Sequence, residues 1–274
     1  MSEDAQPSGF RFLREAQQTG EWPWFDEHYR EAPQQIVDFL AGDGLSLEGK
    51  HVADIGCGDG IIDLGLYELA RPASLTGFDL EETDTAALLA DARRAGVAGE
   101  GLPAGLRFRA NAGTTLPADD ASFDALVSWS TFEHVAEPVA LLREMRRVLK
   151  PDGLLFLQIW PLYYSQHGSH LWPWYPDGYA QLLHDDDEIA RHITEAEAEA
   201  GREADVAFIV DEFRHLNRIT ADGLQRAMLA AGLYITKFEL LTGATRITRS
   251  LARRPLSELG VAGIKLVAVP GDPG

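Results

Sequence analysis

The sequence predicts an α/β fold: a doubly wound, mostly parallel seven-stranded sheet, with an N-terminal helical segment and an inserted lid after the fifth strand. Three observations carry this. From about residue 50 to residue 160, short apolar or β-branched runs alternate with stretches of helical period, the pattern of strands joined by right-handed crossovers. The first run, His51-Val52-Ala53-Asp54-Ile55, breaks into a turn with glycine at alternate positions, Gly56, Gly58 and Gly60. The second run, Ser74 to Asp79, ends in an acid. A strand, a glycine turn, a helix and an acid-tipped strand make half of a nucleotide site.

Taken in order, residues 1–48 form an N-terminal helical cap of two weakly amphipathic stretches around Glu21-Trp22-Pro23-Trp24-Phe25. Pro33 is placed to start the second, where Ile36, Val37, Phe39 and Leu40 make an apolar stripe. The three aromatics either close the edge of the core or cover a ligand, the first being the plainer reading. Residues 49–160 form the core. Strands are expected at 51–55, 75–78, 106–110, 123–129 and 154–160, with helices over 61–69, 85–95 and from Pro138 onward. In the last of these, Leu142, Met145 and Leu149 recur at helical spacing, and Lys150-Pro151-Asp152-Gly153 reads as a stop and turn. The apolar run from Leu154 to Trp160 suits a central strand covered on both faces. Residues 161–219, rich in Trp, Tyr, His, Asp and Pro, interrupt the alternation as a lid above the carboxyl ends of the strands. The lid should hold one acidic helix near Asp186–Ala200, with Asp185, Asp186 and Asp187 at its dipole-favoured start. Residues 220–274 complete the sheet: Thr220 caps a helix running to Gly232, and strands follow at 234–241 and 264–269.

Composition excludes several classes. With 43 acidic and 24 basic residues in 274, the formal net charge is −19. Such a surface repels phosphate backbones, so no nucleic-acid partner is expected. Arg246, Arg249, Arg253 and Arg254 read as a solvated connection. A single cysteine excludes a disulfide framework and a cysteine-built zinc site, and Cys57 reads as a small buried apolar residue. No apolar run approaches the ~20 residues that cross a bilayer, and the acidic start Met1–Pro7 is unlike a signal peptide. A cytoplasmic protein without a membrane partner is expected, and a homo-oligomer is compatible with the sequence.

The ligand of the glycine turn follows from charge. A pyrophosphate would rest on a helix N-terminus after a G-x-G-x-x-G turn. Here the third glycine comes early, and Asp54 and Asp59 put negative charge where phosphate would lie. Carboxylates there suit a ligand with a cationic amino group and no phosphate, such as S-adenosylmethionine. The sequence resembles the class I methyltransferases, the Rossmann-like superfamily using that cofactor, and most closely their small-molecule group. The resemblance spans roughly residues 50–160. It rests on Val52-Ala53-Asp54-Ile55-Gly56-Cys57-Gly58-Asp59-Gly60, Gly77-Phe78-Asp79, Leu116-Pro117, Ser122-Phe123-Asp124, Phe132-Glu133-His134-Val135, and Leu142-x-x-Met145-x-Arg147-Val148-Leu149-Lys150-Pro151-Asp152-Gly153.

The resemblance implies S-adenosyl-L-methionine as cofactor and a small-molecule acceptor, methylated on O or N. It implies that Gly56, Gly58 and Gly60 admit the methionine portion and that Asp54 reaches its ammonium. Asp79 would accept from the ribose hydroxyls, Leu80 would pack on adenine, and Asn111 and Ala112 would meet the adenine edge. Ser128 and Trp129 would flank the methionine tail. Asn111 departs from the acid usual at that position. The alternative function is a non-catalytic protein of the same fold that only binds S-adenosylmethionine; a nicotinamide dehydrogenase ranks below both.

Methyl transfer from a sulfonium needs alignment and a dry site, and a hydroxyl acceptor also needs a base. His170 is the expected base and His167 the second choice, while His134 is read as structural. Tyr163, Trp172, Trp174 and Asn217 are expected to line the acceptor, with Arg218 beside them. His167, His170, His184, Asp185–Asp187 and His192 crowd one region, but without metal-ligand spacing. No metal is expected.

Overall fold

The structure, a computed structural model, describes residues 23–97, 101–201 and 204–271. Trp22 and the first expected helical stretch lie outside the described residues. Within them the chain begins with a short α turn, Pro23–Asp26, and a π turn, Glu27–Glu31. Helix α1 (Ala32–Ala41) follows with Pro33 in its first turn. The core then alternates as expected: β1 (His51–Ile55), α2 (Ile61–Ala70), β2 (Ser74–Asp79), α3 (Thr85–Arg94), β3 (Leu106–Ala110), β4 (Phe123–Trp129), α4 (Pro138–Val148) and β5 (Leu149–Ile159).

The seven strands lie in the order β3-β2-β1-β4-β5-β7-β6. β1 to β5 pair with one another in parallel, and β7 (Val261–Pro270) runs antiparallel between β5 and β6 (Leu233–Thr242). Alternation along the strands sends side chains into two cores. Val52, Leu75, Val127 and Phe156 pack with Ile36, Leu40, Leu66 and Leu88 of α1, α2 and α3. Ala53, Ile55, Leu126 and Leu157 pack with Leu142 and Met145 of α4 and with Leu224 and Met228 of α7 (Ala221–Ala230). Helices therefore cover both faces, and the central strands are buried over most of their length.

Two local expectations change. Lys150–Gly153 is not a free turn but a bulge within β5: the register passes from Phe123↔Leu149 to Ala125↔Leu154. It is pinned there by Asp124, whose carboxylate accepts from the Lys150 ammonium at 2.6 Å and the His51 N–H at 2.8 Å. The lid also holds more helix than foreseen. Besides α5 (Asp186–Glu199), started by a capping box of Asp185 and Glu188, it contains α6 (Val206–His215), capped by Asp205. Ile189 and Ile193 of α5 meet Ile209, Val210 and Phe213 of α6, and this lid core is separate from the two sheet cores. Thr220 caps α7 through the Gly223 N–H at 3.0 Å. No helix among the described residues is long and apolar enough to cross a membrane.

Candidate active site

The site begins where β1 and β2 end. Asp54 pairs with Gly77 and Ile55 with Phe78, so both strands stop at one level. The N–H groups of Gly56 and Cys57 both donate to the Phe78 carbonyl, at 2.7 and 3.2 Å. Asp79 then accepts the Gly58 N–H at one oxygen and the Leu80 N–H at the other, each at 2.7 Å. The acid of the second strand is thus fastened to the glycine turn, with a lone pair left on each oxygen. Gly56 has φ 83°, and a Cβ there would stand 2.0 Å from Thr131 Cγ2. Only glycine satisfies both the left-handed backbone and the close approach.

Carboxylates crowd beneath this turn. Asp54 is 2% exposed, and its Oδ1 has no hydrogen-bond partner. Asp63, in the first turn of α2, is fully buried, and neither of its oxygens has one. Burial, and then the Asp79 charge, pushes Asp54 up to about 8. Burial likewise holds Asp63 well above the carboxylate range, with Asp54, Asp59 and Asp79 adding repulsion. Every charge acting on these two groups is another carboxylate, so an entering cation relieves both desolvation and repulsion. Asp63 was not singled out by sequence, although it is the sole charged residue in Ile61–Leu66. Asp59 does other work: it accepts from the Ile61 N–H and from Trp24 Nε1–H, each at 3.1 Å, tying the N-terminal segment to the turn. Phe25 is buried in the core behind it.

Along the same edge, Leu80 stands 64% exposed, an apolar platform beside Asp79. The Asn111 N–H donates to the Asp79 carbonyl at 2.8 Å, and its side-chain Nδ2 to the Gly113 carbonyl at 2.7 Å, which leaves Oδ1 to accept. Ala112, exposed, bridges Thr115. Trp129 is half-buried and stacks on Phe156. Ser128 is wholly buried and donates its hydroxyl to the Ile55 carbonyl at 2.8 Å, which joins β4 to β1 at the level of the turn.

A second group gathers over the ends of β4 and β5. Thr131 Oγ1 donates to the Gly56 carbonyl at 2.9 Å, drawing the following turn, Phe132–His134, onto the glycine loop. The His170 ring approaches His134 edge-on, with centroids 5.2 Å apart, and Trp172 lies beyond it at 5.9 Å. His170 itself sits at φ 61°. Donor atoms of Glu133, His134 and His170 lie within 4.8 Å of one another. Burial pushes Glu133 up to about 8 and lowers His170 to about 3. At pH 7 the His170 imidazole is neutral and a weak base.

Other expected acceptor contacts fall elsewhere. Asn217 spends its amide on backbone: Nδ2 donates to the Phe132 and Val135 carbonyls at 2.6 and 2.9 Å, and Oδ1 accepts from the Ile219 N–H at 3.1 Å. It clamps the Glu133 turn. Tyr163 and Trp174 belong to the lid core; Arg218 lies over the Tyr163 ring, and Trp174 Nε1 donates to Glu197 at 2.8 Å. His167 faces a separate small cavity with Trp160 and Gln166. His184 and His192 flank Tyr175 within the lid. A larger cavity of about 510 Å³, between Thr76, Arg107 and Ala118, contains none of the grouped residues.

A family model described as a methyltransferase domain matches residues 53–157. The ubiquinone biosynthesis O-methyltransferase of Pseudomonas aeruginosa is 32% identical over 139 residues, 49% of this chain and 56% of that one. The chain therefore spans about half the length of the curated relatives it matches. Among solved structures, a SAM-dependent methyltransferase from Methanosarcina mazei superposes with TM-score 0.51 at 21% identity, over 85% of this chain and 97% of that one. The 4+2 cyclase SpnF superposes with TM-score 0.53 at 20% identity, over 89% and 83%. These likenesses concern the fold, and a cyclase among them shows that the fold alone does not set the reaction.

Proposed function

We propose, from the match of residues 53–157 to a methyltransferase domain, that this protein is a class I S-adenosylmethionine-dependent methyltransferase acting on a small-molecule acceptor at oxygen. The observation that carries the reading is the pair of buried carboxylates under the glycine turn, Asp54 and Asp63, whose unpartnered oxygens call for a cation. S-adenosylmethionine fits that demand with its ammonium, and Asp79 with its two lone pairs fits the ribose hydroxyls. When bound, it supplies a methyl group on an activated sulfonium.

The chain's own part is binding, orientation and exclusion of water. Gly56, Gly58 and Gly60 let the backbone approach, Leu80 offers a face for adenine, and Asn111 Oδ1 accepts from its amino edge. Trp129, Trp172 and the lid helices α5 and α6 keep the acceptor side dry, which favours a reaction in which charge disappears. An oxygen acceptor is favoured because the curated relatives are named O-methyltransferases and because two imidazoles, His134 and His170, stand beside the turn. Removal of the acceptor proton falls to this pair or to a group they hold.

Calorimetric titration with S-adenosylhomocysteine should give binding near one equivalent. Asp79→Ala should weaken it by at least about tenfold, the worth of one to two hydrogen bonds to a charged group. No binding, or an unchanged affinity in Asp79→Ala, would sink the reading. Binding without methylation of any hydroxylated aromatic or sugar in a labelled-methyl assay would leave a non-catalytic cofactor-binding protein.

A further inference from the structure

We propose that Glu133, His134 and His170 form a binding site for a first-row divalent transition-metal cation, at the carboxyl ends of β4 and β5 beside the glycine turn. The donors come from two chain segments far apart in sequence, the turn after β4 and the first loop of the lid, and each brings one ligand atom to a common centre within 4.8 Å. Metal–ligand bonds of ~2.1 Å set neighbouring donors roughly 3.3 Å apart, so small side-chain rotations close the site.

Two features show that the cluster is built and not incidental. Glu133 is 3% exposed, and neither carboxylate oxygen has a hydrogen-bond partner, a costly arrangement for a group with this much solvation to lose. The His170 Nε2 is buried and likewise unpartnered, on a ring held forward by a left-handed backbone. A cation satisfies all three oxygen and nitrogen acceptors at once. Support from the surroundings is also present. Asn217 grips the Phe132 and Val135 carbonyls, its own N–H donates to the Glu133 carbonyl at 2.8 Å, and Trp172 lies beside the His170 ring. Burial is graded from enclosed Glu133 through half-buried His170 to exposed His134, which leaves an entry side.

The donor set selects the metal. Two imidazoles and one carboxylate suit Zn²⁺, Mn²⁺, Fe²⁺ or Co²⁺, whereas Mg²⁺ and Ca²⁺ prefer oxygen throughout. Three protein ligands leave coordination positions open toward the cleft. There the cation would draw in and polarise an acceptor oxygen, which removes the need for a strong protein base. This last step rests on the methyltransferase reading; cation binding does not.

The test is Zn²⁺ titrated calorimetrically into the intact, chelator-treated chain near neutral pH, followed by S-adenosylhomocysteine on the same samples. One equivalent of Zn²⁺ should bind. Glu133→Gln and His170→Ala should each weaken it by at least about 100-fold, the upper end of what even indirect ligand support contributes. His184→Ala in the lid should leave it unchanged. Should Glu133→Gln fail to fold, ¹⁵N-histidine spectra of the unsubstituted chain decide: one equivalent of Zn²⁺ must move two of the eight histidine signals, those missing in His134→Ala and His170→Ala. No Zn²⁺ binding, retention in both ligand variants, or movement of other histidines overturns the proposal. If S-adenosylhomocysteine binds and Zn²⁺ does not, the cation site falls and the methyltransferase reading stands; the reverse outcome separates them the other way.

Discussion

Asp54 concentrates the chemistry of the proposed cofactor end into one group. It lies between the buried apolar residues Val52, Ala53 and Ile55, so folding buries a carboxylate without a counter-charge and its pKa rises to about 8. The folded chain holds a proton that the unfolded chain has released above pH ~4, so the ligand-free protein loses stability as pH rises from about 4 towards 8. A ligand ammonium reverses the shift. S-adenosylhomocysteine binding at pH 7 should therefore release close to one proton, and affinity should climb by up to about tenfold per pH unit between 6 and 8. Calorimetry in two buffers of different ionisation enthalpy counts the proton; a count of zero would remove Asp54 from the site. Asp54 was legible in sequence because an acid stands out in a β-branched run. Asp63 stands out as plainly in its helix, but its depth depends on how α2 lies against β1, which no local pattern states.

At the scale of elements, the glycine turn works because β1 and β2 end flush and because the turn after β4 closes over it. Gly56→Ala places a methyl group into Thr131 on a left-handed backbone. It should destabilise the protein by about 1–3 kcal/mol and reduce S-adenosylhomocysteine affinity more than tenfold, read by urea denaturation and calorimetry. The lid behaves as its own element, since α5 and α6 share a core apart from the sheet. Ile193→Ala should cost about 2–4 kcal/mol of lid stability and raise proteolysis within 161–219. Cofactor affinity should stay within about threefold, because the cofactor residues stand on the sheet; a collapse of binding would show that the lid completes that site. The α6 helix escaped sequence reading although Asp205 and the spacing of Val206, Ile209, Val210 and Phe213 mark it. The surrounding acids and aromatics masked a short apolar stripe.

For the whole molecule, charge sets the partners it repels. At −19, with its arginine-rich connection spread over an exposed loop, the chain should show no binding to duplex DNA or RNA at about 0.15 M salt by fluorescence anisotropy. Micromolar binding would overturn the reading of the net charge. The sheet order, with the reversal between β1 and β4, also explains why the site lies where it does. Ligands settle at the carboxyl ends where neighbouring connections leave in opposite directions, and both the glycine turn and the Glu133 turn open onto that crevice.

The sequence by itself determined the layered sheet, the glycine turn and the acid that tips β2, because each is written in periodicity or in residue types that only one backbone geometry accepts. It also determined the preference for a cationic, phosphate-free ligand, because like charges near a helix start exclude phosphate wherever the rest of the chain goes. Tertiary structure alone decided the acceptor end. Ser128 turned inward, Asn217 became a backbone clamp, Tyr163 and Trp174 went to the lid core, and His170 met Glu133 and His134 across the lid. Those outcomes depend on how β4 pairs with β1 and how the lid folds back on β4 and β5, and contacts between segments so distant in the chain leave no spacing for a sequence to display.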